Sequence, residues 1–179
     1  MVFAPASLIL TDYFLPLKVA LAYSGSPMHR ILVLTLFIIF SCAVTADTDV
    51  DNQNVKRAVL DYIESQHKVE PDLMKRGLDK KLAKRTYWES KDGSEIIMET
   101  DFETMVWVAE NYNKDGNKFP TSPKVDINIL DIDNRVASVK LTVDDWIDYM
   151  HLYKNENNEW KIINVLWQYH DTKKHSSKP

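Results

Sequence analysis

The sequence predicts an α+β domain whose helices pack on one face of a strongly curved antiparallel sheet. Three observations predict it. Apolar residues over 51–65 and 102–112 recur with a helical period. The runs between 124 and 167 instead alternate or read as short apolar strands, joined by polar turns. The helical segments precede that long block of strands, the order of an α+β domain and not of a βαβ repeat.

Each element has its own local signature. In Asp51–Ser65, Val55, Ala58, Val59, Tyr62 and Ile63 fall on one helix face, with Asp51 or Asn52 as the cap. Pro71 suits the first turn of a short second helix, Leu73 and Met74 are its apolar residues, and Gly77 can end it. Asp79–Glu89 starts basic and turns aromatic at Tyr87 and Trp88, a strand; Asp92-Gly93 is a turn, and Ser94–Glu99 a short strand. Thr100-Asp101-Phe102-Glu103 matches a capping box. The helix it opens carries Phe102, Met105, Val106, Ala109 and Tyr112 on one face, and Trp107 and Val108 widen the stripe enough to predict a well-buried helix.

After a loop with Pro120 and Pro123, Lys124–Ile132 and Arg135–Val143 alternate apolar and polar residues around an Asp133-Asn134 turn. Trp146–Lys154 and Trp160–Trp167 carry apolar residues on both faces and flank the polar connection Asn155–Glu159. They are the expected central strands, covered by helices on one side and by a partner or the chain itself on the other. Asp171–Pro179 is polar and expected to be a disordered tail.

The domain is expected to span 47–170. Met28 to Asp47 has the layout of a secretory signal: a short basic start, an apolar run Ile31–Phe40, and Val44-Thr45-Ala46 as the cleavage motif. The apolar run falls short of the roughly 20 residues that span a bilayer. Residues 1–27 have no place in such a signal and read as a mis-assigned extension upstream of Met28. Export as a secreted or periplasmic protein follows, without stable membrane insertion once 28–46 is removed. Lipid attachment at Cys42 is the alternative, which the bulky Phe40 fits poorly.

Cys42 is the only cysteine, so the domain itself has no disulfide and no thiolate metal ligand. Without Asp12, Lys18 and Arg30, the 26 acids and 22 bases become 25 and 20, a net of −5. That excludes the basic field of non-specific nucleic-acid binding. Metalloprotease, Walker and nucleophile-elbow motifs are absent, and no metal or cofactor is implied.

The run from Asp144 to His170 carries the most chemistry. Asp148 and His151 sit in an aromatic strand, where an apolar setting can shift an acid or base. They are three apart, so a regular strand points them to opposite faces and at most one faces an interior. Tyr149 shares a face with His151 and can donate to a ligand carbonyl. Tyr87, Trp88, Trp107 and Trp167 can stack on a flat heterocycle or simply fill a core. Lys75, Arg76, Lys80, Lys81, Lys84 and Arg85 read as a solvated basic face, and His67 and Glu70 as solvated loop residues.

VKRAVLDYIES, PDLMKRGL and IDYMHLYKNENNEWKIINVLWQ, spanning about 52–168, resemble the nuclear transport factor 2-like superfamily, and within it the group labelled "putative lumazine-binding". The resemblance implies a cone of curved sheet closed by about three helices, with a cavity between. It implies a small, flat ligand held by Tyr87, Trp88, Trp107, Tyr149, His151 and Trp167, and a homodimer formed through the sheet. Some superfamily members are acid–base isomerases or cyclases, which makes Asp148, His151 and Tyr149 the catalytic candidates in an alternative reading. A non-catalytic dimeric interaction module is the third. Relatives often carry His-Pro where this chain has Glu70-Pro71.

Overall fold

The computed structural model describes residues 49–178. The expected signal segment 28–46, the expected 1–27 extension and Cys42 lie outside them. Helix α1 covers 49–68, and α2 (Pro71–Gly77) runs without a loop into β1 (Leu78–Glu89). Then follow β2 (Glu95–Thr100), α3 (Phe102–Asn111), β3 (Val125–Asp133), β4 (Val136–Val143), β5 (Trp146–Lys154) and β6 (Trp160–Tyr169). The six strands form one sheet in the order β2-β1-β6-β5-β4-β3. The β1–β6 pairing is parallel and the others antiparallel, so β5 and β6 are central, as their two-sided apolar character predicts.

One face of the sheet and one stripe of each helix form the core. Val55, Val59, Tyr62 and Ile63 of α1 pack with Met74 of α2, Phe102 and Met105 of α3, and the inward residues of β4–β6. Gly77 lets α2 lie against α1, because a Cβ there would sit 2.8 Å from the Ala58 carbonyl oxygen. The need is for close approach, not for the left-handed helix end that the sequence suggests. A bulge between β5 and β6 falls at Ile163, since His151 pairs with Asn164 and Leu152 with Ile162. The extra residue keeps Ile162 and Val165 both buried. It also sets Trp167 and Tyr169 on the inner face.

Four expectations are corrected. Asp51 lies inside α1, and its carboxylate accepts from Lys154 Nζ at 2.7 Å and Trp160 Nε1 at 3.0 Å. Asp101, not Thr100, caps α3, accepting from the Thr104 amide at 2.9 Å. Helix α3 is amphipathic and not buried all round, with Trp107 61% exposed. The C-terminal segment is ordered: a 3-10 turn at Thr172–Lys174 leads to His175, which is 2% exposed. The physical reason is aromatic: the end of the β1–β6 pair offers a box of rings that an imidazole fills.

Candidate functional site

The inner face holds a buried charge pair. Lys84 follows Leu82 by two along β1, so both point inward. Asp148 faces inward from β5, fully buried. Lys84 Nζ lies 2.6 Å from Asp148 Oδ1 and donates to the Tyr62 hydroxyl at 2.9 Å. Trp146 Nε1 donates to Asp148 Oδ2 at 2.8 Å. The ammonium also sits 4.8 Å from the Trp167 ring centroid, a cation–π distance. Both carboxylate oxygens are therefore committed, as a buried charge requires.

Burial pushes the Lys84 ammonium below its ordinary range, opposed by the Asp148 charge. Burial and then the Asp148 charge push the Tyr62 phenol well above its ordinary value. Tyr62 thus stays a neutral hydroxyl. A lysine has three N–H bonds. Among the described residues two are committed, to Asp148 and Tyr62, which leaves one for an acceptor beside it.

Beside it lies a cavity of about 220 Å³, lined among others by Tyr62, Lys84, Met105, Trp146, Trp167 and Tyr169. That is under the roughly 300 Å³ at which drug-sized pockets begin, so it suits a small ring system. The walls are mostly aromatic and apolar, with Lys84 as the charged donor.

The candidates separate by face. Asp148 points inward, while Tyr149 and His151 lie on the opposite, outer face, as the three-residue spacing dictates. Tyr149 is 43% exposed, and His151 Nδ1 meets Asn164 Nδ2 at 3.0 Å. Of the aromatic candidates, Trp167 lines the cavity, and exposed Trp107 does not. Tyr87 and Trp88 surround His175 instead, with ring centroids at 4.6 and 5.7 Å. The heterocycle they hold is the chain's own.

Two residues read as solvated are not. Lys84 belongs to the inner pair. The Leu82-Lys84-Thr86 alternation gave its parity, and a buried Asp148 demanded a cation. His67 lies in α1, edge-on to Phe119 at 4.3 Å, its Nε2 buried without a hydrogen-bond partner among the described residues. Burial lowers its pKa. Among the described residues no three His, Cys, Asp or Glu side chains are grouped to hold a metal, and no helix is long and apolar enough to cross a membrane.

A family profile described as "Putative lumazine-binding" matches residues 50–168. No curated protein matches the sequence. Among solved structures, an NTF-2-like protein of unknown function from Silicibacter pomeroyi DSS-3 is similar at 14% identity and a TM-score of 0.56, over 69% of this chain and 98% of that one. This likeness shows the nuclear transport factor 2-like fold. A "putative ketosteroid isomerase" from Parabacteroides distasonis ATCC 8503 aligns at 17% identity and a TM-score of 0.41, over 63% of this chain and 85% of that one.

Proposed function

Because this chain belongs to the "Putative lumazine-binding" family, we propose that its cone binds a small, flat, carbonyl-bearing heterocycle without catalysis. The observation that carries this reading is the remaining N–H of Lys84, held by Asp148 and Tyr62 at the wall of an aromatic cavity of about 220 Å³. A planar ring packs face-on to one of Trp167 and Tyr169 and edge-on to the other, since their planes stand at 82°, while its carbonyl oxygen accepts from Lys84. The site favours an oxygen acceptor because a buried ammonium strengthens a hydrogen bond in low dielectric. In this reading the domain is exported after cleavage at Ala46 and pairs through the outer sheet face, where the cross-strand neighbours Tyr149 and Leu166 are 43% and 56% exposed.

The acid–base alternative has less support. Asp148 has both oxygens occupied, and neither Tyr149 nor His151 faces the cavity.

Calorimetric titration with lumazine, a pteridinedione, tests the reading against unsubstituted pteridine, which has the same rings and no carbonyl. The expected Kd for lumazine is micromolar, about tenfold or more tighter than for pteridine. Tyr169→Ala should weaken binding roughly tenfold by loss of stacking. Tyr149→Phe and His151→Ala, on the outer face, should leave it unchanged. No binding of either compound at millimolar concentration would overturn the reading.

A further inference from the structure

The wall that lines the cavity is held from behind by the C-terminal segment. Trp167 and Tyr169 face the cavity, and both also pack on His175, at centroid distances of 5.3 and 5.1 Å. Tyr87 stacks on the same ring at 4.6 Å, tilted by 31°. The main chain fixes the segment too. Glu89 N donates to the His175 carbonyl at 2.9 Å and Ser177 N to the Glu89 carbonyl at 2.8 Å, continuing β1 by a short parallel bridge. Trp88 Nε1 donates to Ser177 Oγ at 2.8 Å.

The ring's own hydrogen bonds define its protonation. The Tyr169 amide donates to His175 Nε2 at 2.7 Å, so Nε2 carries a lone pair. Thr86 Oγ1 gives its proton to the Trp167 carbonyl at 2.7 Å and lies 3.4 Å from Nδ1. It is thus an acceptor for the Nδ1 proton. Only neutral imidazole satisfies both partners. Protonation would set two N–H donors against each other 2.7 Å apart.

We propose that His175 is a positioning residue for the cavity: its neutral ring locks residues 171–178 onto Trp167 and Tyr169, and protonation releases the segment and loosens that wall. The charged neighbours do not rescue an imidazolium. On β1, Glu89 is taken by Lys178 and accepts from Ser176. The Lys84 ammonium lies against the Trp167 ring. On β6, Tyr169 presents a neutral phenol, raised by burial. Within the segment, Asp171 caps the 3-10 turn, Lys173 is exposed, and Lys174 pairs with Asp145 at 3.3 Å.

Burial lowers the pKa of the docked ring, with a smaller opposing contribution from a backbone hydrogen bond of Tyr87. The sign follows. Docking is fully favoured above the ordinary histidine pKa of about 6.5 and is lost as pH falls through the lower value of the docked ring. Between the ordinary value and the lower one each pH unit costs the docked state about tenfold, and below the lower value the cost levels off.

The test is residue-resolved amide exchange of the full chain between pH 8 and 4.5, corrected for intrinsic rates. Protection of the Tyr169 and Glu89 amides is expected to fall about tenfold or more across the histidine range, while Leu141 and Val165 hold. His175→Gln keeps an oxygen acceptor for the Tyr169 amide and cannot be protonated, so its protection should stay flat. Wild-type protection that does not change, or a variant that falls with the wild-type midpoint, overturns the proposal. Should Gln fail to seat, the titration of the His175 ring by NMR decides. A midpoint matching the loss of protection supports the proposal, and a different one sinks it. The effect on the cavity rests on the ligand reading above. Lumazine affinity should fall with the same midpoint, and an affinity that stays constant while the segment releases removes the positioning role. Absence of binding at pH 8 defeats the ligand reading and leaves the exchange result standing.

Discussion

Breaking the Lys84–Asp148 pair is the sharpest test of the inner face. The two side chains are 9% and 0% exposed and meet at 2.6 Å. Removing one partner strands a buried charge, which costs about 3–5 kcal/mol. Lys84→Met leaves Asp148 with only the Trp146 indole. Asp148→Asn leaves the ammonium with the Tyr62 hydroxyl and half an acceptor, while the Trp146 N–H competes for the same amide oxygen. For a domain of this size, each kcal/mol moves Tm by about 3–4 °C, so each single variant should melt roughly 10–20 °C lower. The double variant buries no charge. It still leaves Tyr62 and Trp146 partly unmatched, so recovery is incomplete, and its loss should fall short of the sum of the singles by about 2–3 kcal/mol. Urea unfolding of the four proteins, followed by tryptophan fluorescence, measures the cycle, with m unchanged. Single losses below about 1 kcal/mol, or an additive double, would refute the argument that this pair is a buried, mutually dependent unit.

Two further outcomes follow from the backbone. Gly77→Ala pushes a methyl to 2.8 Å from the Ala58 carbonyl and 3.2 Å from Asp61 Cβ. Neither neighbour is a flexible chain end, so calorimetry should show a loss of about 1–3 kcal/mol. Asp101→Ala removes the α3 cap and should lower amide protection at Thr104, the residue it holds. Hydrogen bonds from the Thr104 side chain and amide hold the Asp101 carboxyl below its ordinary value of 3.8. The cap's contribution is therefore complete above that pH and is lost as pH falls through the lower folded value, so the wild-type advantage should vanish in strong acid.

Where one periodicity dominates, the fold is legible. Lys124–Ile132 and Arg135–Val143 alternate cleanly, and the strands run Val125–Asp133 and Val136–Val143. The α1 stripe is likewise the set of its apolar residues that lie buried, joined by the polar Asp61, Ser65 and Gln66. The errors fall where a side chain is classed by its type and not by its parity. Lys84 sits in a run of lysines and arginines, and its neighbours Lys80, Lys81 and Arg85 make a solvated face the natural reading. Yet Leu82 and Thr86 bracket it on the buried side. The Asp171–Pro179 segment is polar enough to suggest disorder. One imidazole with two fitting partners and four rings around it outweighs that composition.

The candidate site divides along the same line. Strand parity alone separates Asp148 from Tyr149 and His151, so the face each occupies relative to its neighbours was readable. The direction of those faces was not, because β5 is apolar on both. What decides it is charge. An acid can be fully buried only where a cation reaches it, and Lys84 in β1 can do so because β6 alone stands between β1 and β5. The pairing that turns Asp148 inward therefore also turns Lys84 inward, and sends Tyr149 and His151 out. The same step removes a free carboxylate from the cavity and leaves a lysine N–H among aromatic rings. In the reading proposed above, that N–H is the group that donates to an oxygen on a flat ring, and Asp148, with both oxygens held by Lys84 and Trp146, is a structural acceptor.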